Sequence, residues 1–196
     1  KAFIADAALL QGLAGLQAAG VQLWSLRGDV PGVPRWEARR DAAAPIGTPA
    51  APPRGAMFYT SGTTGRPKGI VRSASSPEQV AASGALRQMA YGIEPGMRAL
   101  LNAPMYHSAP NSYVLGVAQS SGTLYLEERF DAEATLRLIS EHRISHAYLV
   151  PTMYVRMLAL PPEVRAKYDL RSIRFVSSTG SPCPPDVKCA MIDWWG

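Results

Sequence analysis

Cysteine is almost missing from this sequence. Only Cys183 and Cys189 occur, six positions apart and with no histidine near them. Two such residues make neither a disulfide framework nor a zinc-finger pattern. Long hydrophobic runs are missing as well: no stretch of about 18 apolar residues could span a bilayer, and nothing resembles a signal peptide. A reducing cytoplasm is the expected setting. Charge of one sign is not concentrated anywhere. The net charge is +5, from 20 basic and 15 acidic residues, yet the nearest approach to a basic cluster, Arg35, Arg39 and Arg40, is broken by Trp36 and Glu37. Nucleic-acid binders gather their charge into a patch or stripe, so nucleic acid is not an expected partner. A starting Met is also missing, and the sequence stops at Trp194-Trp195-Gly196 without a closing element. A piece of a larger protein is the expectation.

What is present is a chain of 196 residues, 47% apolar and 18% charged, the composition of a folded domain rather than a disordered one. Residues 1–45 read as a partial α/β segment: a strand at Phe3-Ile4, an Ala/Leu-rich helix from Ala7 to Ala19, and a strand from Val21 to Trp24. A stretch rich in Pro, Gly and Ala follows from Gly28 to Arg54, with helix propensity only around Trp36 to Arg40, and reads as a surface linker. Residues 46–196 are more regular. Strands are expected at Ala56–Tyr59, Gly69–Val71, Met97–Leu101, Thr123–Glu127, Ala147–Val150 and Ile173–Ser177. Ser76-Pro77-Glu78-Gln79 predicts a helix start with a capping box, running to Tyr91 and stopped by Gly92 and Pro95. Further helices are expected at Ser112–Gln119, after Asp131 and at Thr152–Leu158. Short apolar strands alternating with helices predict an α/β fold: layered, mostly parallel sheets with flanking helices.

The chemistry is concentrated between two of these strands. Tyr59-Thr60-Ser61-Gly62-Thr63-Thr64-Gly65-Arg66-Pro67-Lys68-Gly69 holds three glycines, four aliphatic hydroxyls, an arginine and a lysine. Glycines allow successive N–H groups to point into one concavity where an anion can sit. Hydroxyls add adjustable donors, and the lysine adds a point charge that can follow a moving phosphate. Phosphoryl chemistry needs such donors in place before leaving-group charge develops. The run is not a Walker A loop, because Arg66 and Pro67 follow Gly65 and Gly69 follows Lys68. Ser, Thr and Gly are also ordinary loop residues; the apolar strands on both sides favour the phosphate reading.

This run closely resembles the signature phosphate loop of the adenylate-forming (AMP-binding) superfamily, and most of all that of bacterial acyl-CoA synthetases. The resemblance implies that Thr60, Ser61, Gly62, Thr63, Thr64, Gly65 and Lys68 hold the ATP phosphates, with Lys68, Thr63 and Thr64 serving catalysis as a carboxylate attacks the α-phosphorus. Ala103-Pro104-Met105-Tyr106-His107-Ser108-Ala109 resembles the next family motif, which places Tyr106 and His107 near the acyl-adenylate. Ala147 to Met153 resembles the strand and helix start on the acyl side, bringing in Thr152. Ser177-Ser178-Thr179-Gly180-Ser181-Pro182 resembles the segment beside the acyl group and adenine, bringing in Gly180 and Ser181. Thr179 stands where the family form has the first of two glycines. Arg72-Ser73-Ala74 stands where many members carry a Ser/Thr-His pair, a subfamily feature.

The resemblance therefore implies part of the large N-terminal domain of an acid–thiol ligase, with ATP, Mg2+ and coenzyme A as cofactors or co-substrates and a small-molecule carboxylate as partner. No metal ligand is expected within this chain. The magnesium-holding glutamate, the ribose-binding aspartate and the small lid domain with its lysine would lie beyond Gly196, and a piece without them is expected to be inactive. A fatty acid is the first expected substrate, and aromatic or steroid-like acids come next. A carrier-protein-loading adenylation enzyme, a luciferase-like member and a non-catalytic nucleotide-binding module stay open as alternatives.

Overall fold

The structure is a computed structural model that describes residues 2–45, 47, 57–60, 68–71, 73 and 75–196. The chain divides into two compact units, Lys1–Pro53 and Arg54–Gly196. In the first, strands β1 (Ala2–Asp6) and β2 (Gln22–Leu26) pair in parallel. The Ala/Leu-rich stretch between them, expected as one helix, is split into α1 (Ala7–Leu10) and α2 (Ala14–Ala18). Gly12 lies at the break, where the poor helix propensity of glycine favours interruption. Asp6 caps the first piece by accepting from the Ala8 amide at 3.0 Å. The stretch expected as linker is partly built. Val33 donates to the Val30 carbonyl across Pro31-Gly32, with Gly32 at φ 74°, and the Ser25 amide donates to Pro34 O. Helix α3 (Trp36–Asp41) follows, and its Trp36 ring meets Trp24 edge to face at 6.2 Å.

The second unit opens with an antiparallel hairpin of β3 (Met57–Thr60) and β4 (Lys68–Val71). Helix α4 (Pro77–Tyr91) carries the expected capping box: Ser76 Oγ accepts from the Gln79 amide at 3.3 Å, and Gln79 Oε1 accepts from the Ser76 amide at 2.9 Å. It ends at Gly92, left-handed at φ 63°. Then come β5 (Arg98–Leu101), α5 (Ser108–Gln119), β6 (Thr123–Leu126), α6 (Ala132–His142), β7 (His146–Leu149), α7 (Pro151–Leu158), α8 (Pro162–Arg165), β8 (Phe175–Ser178) and α9 (Pro185–Trp195). Helix α5 starts a turn earlier than expected. Pro110 falls in its first turn, where a proline forfeits no helical hydrogen bond.

Strands β5 to β8 form one all-parallel sheet in the order β6-β5-β7-β8. Side chains alternate across it, and each face buries its own cluster. Leu100, Ala147 and Leu149 pack with Leu136 and Ile139 of α6, Met153 and Met157 of α7, and Met191 of α9. Ala99, Leu101 and Tyr148 pack with Tyr113 and Val117 of α5, with Tyr91 of α4 against them. The result is helices on both faces of a parallel sheet, the expected α/β layering. No helix among the described residues is long and apolar enough to cross a membrane.

Candidate active site

The strand order reverses between β5 and β7. The chain runs from β5 outward to β6, then crosses back over β5 to reach β7. At such a switch point in a parallel sheet, the crevice beyond the carboxyl ends of the strands is the usual ligand site. Three of the segments expected to face substrate leave the sheet on this edge. Residues 102–107 follow β5, Val150 to Thr152 follow β7, and Thr179 to Ser181 follow β8. Tyr106 is 83% exposed, and its ring lies 4.5 Å from that of His107. His107 is the N-cap residue of α5, with its side chain making no capping bond. Its amide donates to Pro104 O at 3.2 Å, which folds the Pro104–His107 loop into a turn and leaves the imidazole exposed. Thr152 is exposed in the first turn of α7, just after Pro151. Gly180 sits at φ 90°, a torsion that favours glycine. Ser181 is exposed and borders a cavity of about 440 Å³ that is also lined by Tyr154, Val176, Ser178, Lys188 and Trp195.

The other expected residues belong to the β3–β4 hairpin, a separate sheet. Thr60 and Lys68 are Cα partners in the register, the last pair before the connection through residues 61–67. Ser61, Gly62, Thr63, Thr64 and Gly65 lie outside the described residues, as do Arg72 and Ala74. Lys68 is exposed at the end of the hairpin. One residue further along β4, Gly69 lies beneath a side-chain pair. A Cβ there would come within 3.1 Å of Met57 Sδ and 3.3 Å of the Tyr59 ring. The register therefore sets Lys68 opposite Thr60, at the end of the hairpin where residues 61–67 connect the two strands. Among the described residues no group of three or more His, Cys, Asp or Glu side chains could hold a metal ion.

Sequence reasoning missed two polar devices at the carboxyl edge. In the first, Asn102, buried just past β5, donates through Nδ2 to Glu127 Oε2 at 2.5 Å and Thr135 Oγ1 at 3.0 Å, and Thr135 Oγ1 donates to Glu127 at 2.8 Å. Burial pushes the Glu127 carboxyl above the usual carboxylate range, and the hydrogen bonds from Thr135 and Asn102 oppose that rise. This network ties the end of β5 to the end of β6 and to α6, steadying the root of the Tyr106–His107 loop. A polar residue directly after each of two apolar strands was the only signal in the sequence. In the second, the Tyr148 hydroxyl pairs with Thr179 Oγ1 across the ends of β7 and β8. No sequence pattern announces this contact, because the partners are far apart in the chain.

Comparison with known proteins follows the same lines. The model of the AMP-binding enzyme family matches residues 9–196. A mitochondrial medium-chain acyl-CoA ligase of Danio rerio is 33% identical over 140 residues, which cover 70% of this chain and 23% of that protein. A feruloyl-CoA synthase of Amycolatopsis sp is 33% identical over 138 residues, covering 70% of this chain and 27% of that protein. Among solved structures, the amide bond synthetase of Marinactinospora thermotolerans superposes with a TM-score of 0.76 at 27% identity, over 100% of this chain and 38% of that one. The chain thus spans about a quarter of the length of the curated relatives it matches. With a family match that takes in both the hairpin and the whole parallel sheet, the chain belongs to the AMP-binding enzymes.

Proposed function

We propose that the full-length protein activates a carboxylic acid with ATP and passes the acyl group to coenzyme A. A carboxylate oxygen attacks the α-phosphorus, the bond to the β-phosphate oxygen breaks, and pyrophosphate leaves. The thiolate of coenzyme A then attacks the acyl carbon, and AMP leaves. The observation that carries this reading is the pairing of Lys68 opposite Thr60, with a run of hydroxyls and glycines between them in sequence. A cation there meets the charge that develops on departing pyrophosphate. Thr60, Ser61, Gly62, Thr63, Thr64, Gly65 and Lys68 hold the ATP phosphates in this account. Tyr106, His107, Thr152, Gly180 and Ser181 border the acid at the carboxyl edge. No general base is assigned, since the attacking carboxylate is already ionised at neutral pH.

A fatty acid is the proposed substrate, supported by the likeness to a medium-chain acyl-CoA ligase. An aromatic acid is a second reading, favoured by the comparable identity to a feruloyl-CoA synthase. Apolar pockets discriminate a methylene by only about 1–3 kcal/mol, so chain-length preference should be relaxed. The test is to incubate the full-length protein with ATP, magnesium, coenzyme A and a panel of aliphatic and aromatic acids, and to follow AMP and thioester by mass spectrometry. Equal yields of AMP and thioester with aliphatic acids are expected. Thioester from aromatic acids alone would replace the fatty-acid reading. Acyl-adenylate without thioester would point to another acceptor, such as an amine or a carrier-protein thiol. ATP binding with no acid-dependent product would leave a nucleotide-binding module.

A further inference from the structure

Three tyrosines meet on the face of the sheet covered by α4 and α5. The rings of Tyr91, Tyr113 and Tyr148 stand with centroids 5.5–6.2 Å apart. Tyr113 and Tyr148 are almost fully buried, and a buried tyrosine hydroxyl ordinarily needs a hydrogen-bond partner. The Tyr113 hydroxyl has none among the described residues. The Tyr148 hydroxyl has one, Thr179 Oγ1.

Thr179 is the first residue beyond β8, and it is held to β7 twice. Its hydroxyl meets Tyr148, and its amide donates to Leu149 O at 3.4 Å. Two residues back, on the same face, Ser177 Oγ donates to Ala90 O of α4 at 3.3 Å, which ties the strand end to that helix as well. Immediately after Thr179 the chain turns through Gly180. A Cβ on Gly180 would meet only Val150 Cγ1, at an ordinary 3.5 Å, so the positive torsion rather than space is what calls for glycine there. The direction in which Gly180 and Ser181 leave the sheet is therefore set at Thr179. A glycine at 179 could not make the side-chain contact and would strand the buried Tyr148 hydroxyl.

We propose that Tyr148 and Thr179 form a positioning pair that fixes the seat of Gly180 and Ser181 beside the bound acid, and so sets the affinity for the acid. The proposal rests on the adenylation reading above. Neither side chain touches a reacting atom. Lys68 belongs to a different sheet, so the pair acts through the seat of Gly180 and Ser181 and not through that cation.

The test uses the full-length protein with the variants Tyr148→Phe, Thr179→Val, the double variant and Thr179→Ser. Each is assayed for acid-dependent ATP–pyrophosphate exchange, together with amide hydrogen exchange over residues 179–183. The loss of one buried hydrogen bond should raise the KM for the acid about tenfold in either single variant. The double variant should be no worse than the singles, because both remove the same contact. Thr179→Ser keeps the hydroxyl and should stay close to wild type. The KM for ATP should rise less than the KM for the acid, kcat should move by less than about twofold, and faster amide exchange should be confined to residues 179–183. An unchanged acid KM, additive single effects, or an equal rise of the acid and ATP KM values would overturn the pair. If one variant fails to fold, the contrast between Thr179→Val and Thr179→Ser decides. Wild-type protein with no acid-dependent exchange would overturn the adenylation reading itself, and the proposal with it.

Discussion

His146 shows what a single residue does at the opposite edge of the sheet from the site. It opens β7 and is 3% exposed. Its Nδ1 lies 2.7 Å from Ser145 Oγ, its Nε2 lies 3.8 Å from Glu94, and its ring stacks on Phe175. Burial pushes its pKa below the ordinary 6.5; Glu94 opposes that shift, Arg174 adds to it, and a hydrogen bond with the Gly92 backbone opposes it. The folded chain thus gives up the proton at a lower pH than the unfolded chain does. Between the two values the unfolded state holds more protons, so stability is complete above pH 6.5 and is lost as pH falls through the folded value. The urea midpoint should therefore drop between pH 7 and pH 5, and His146→Gln should flatten that drop. Equal slopes in the two proteins would contradict this account. At this scale the sequence was uneven. His107 was legible as a loop residue because a proline and a strand end precede it. His146 and the Asn102–Glu127–Thr135 network were not, since burial is decided by partners distant in the chain.

Among the elements, helix α4 rests its two ends on different physics. Its start relies on the Ser76–Gln79 box, an exposed local arrangement. Ser76→Ala should cost about 1 kcal/mol. Its end relies on Gly92, where a Cβ would come within 2.5 Å of the Phe175 ring and the backbone is left-handed. Gly92→Ala must both strain the backbone and displace a ring of β8, so it should cost more than Ser76→Ala, about 2–4 kcal/mol. Amide exchange should separate the two variants: Ser76→Ala should loosen only the first turn of α4, and Gly92→Ala should loosen β8 as well. Both ends of α4 were legible because capping chemistry is local. The α1–α2 break and the early start of α5 were not. In each a run of favourable propensity hid a boundary, set at Gly12 in one case and at His107, ahead of a tolerated Pro110, in the other. The antiparallel pairing of β3 with β4 was also hidden. Nothing in a short strand states its partner, although a hydroxyl-rich run between two strands is the connection that such a hairpin needs.

On the scale of the whole molecule, the alternation of short apolar strands and helices was enough to read parallel α/β layers. The helices then cover both faces because β5, β7 and their neighbours are apolar on both sides. The same topology gathers Tyr106, His107, Thr152, Gly180 and Ser181 to one edge, a grouping that their scattered sequence positions do not reveal. The proposed adenylate formation needs both this edge and the Lys68 hairpin. The most direct test is carboxylate-dependent ATP–pyrophosphate exchange by the full-length protein, with and without Lys68→Ala. Exchange that requires an acid and falls by about 10²–10³-fold in the variant is the predicted result. Exchange that is absent with every acid despite measurable ATP binding, or undiminished in Lys68→Ala, would contradict it.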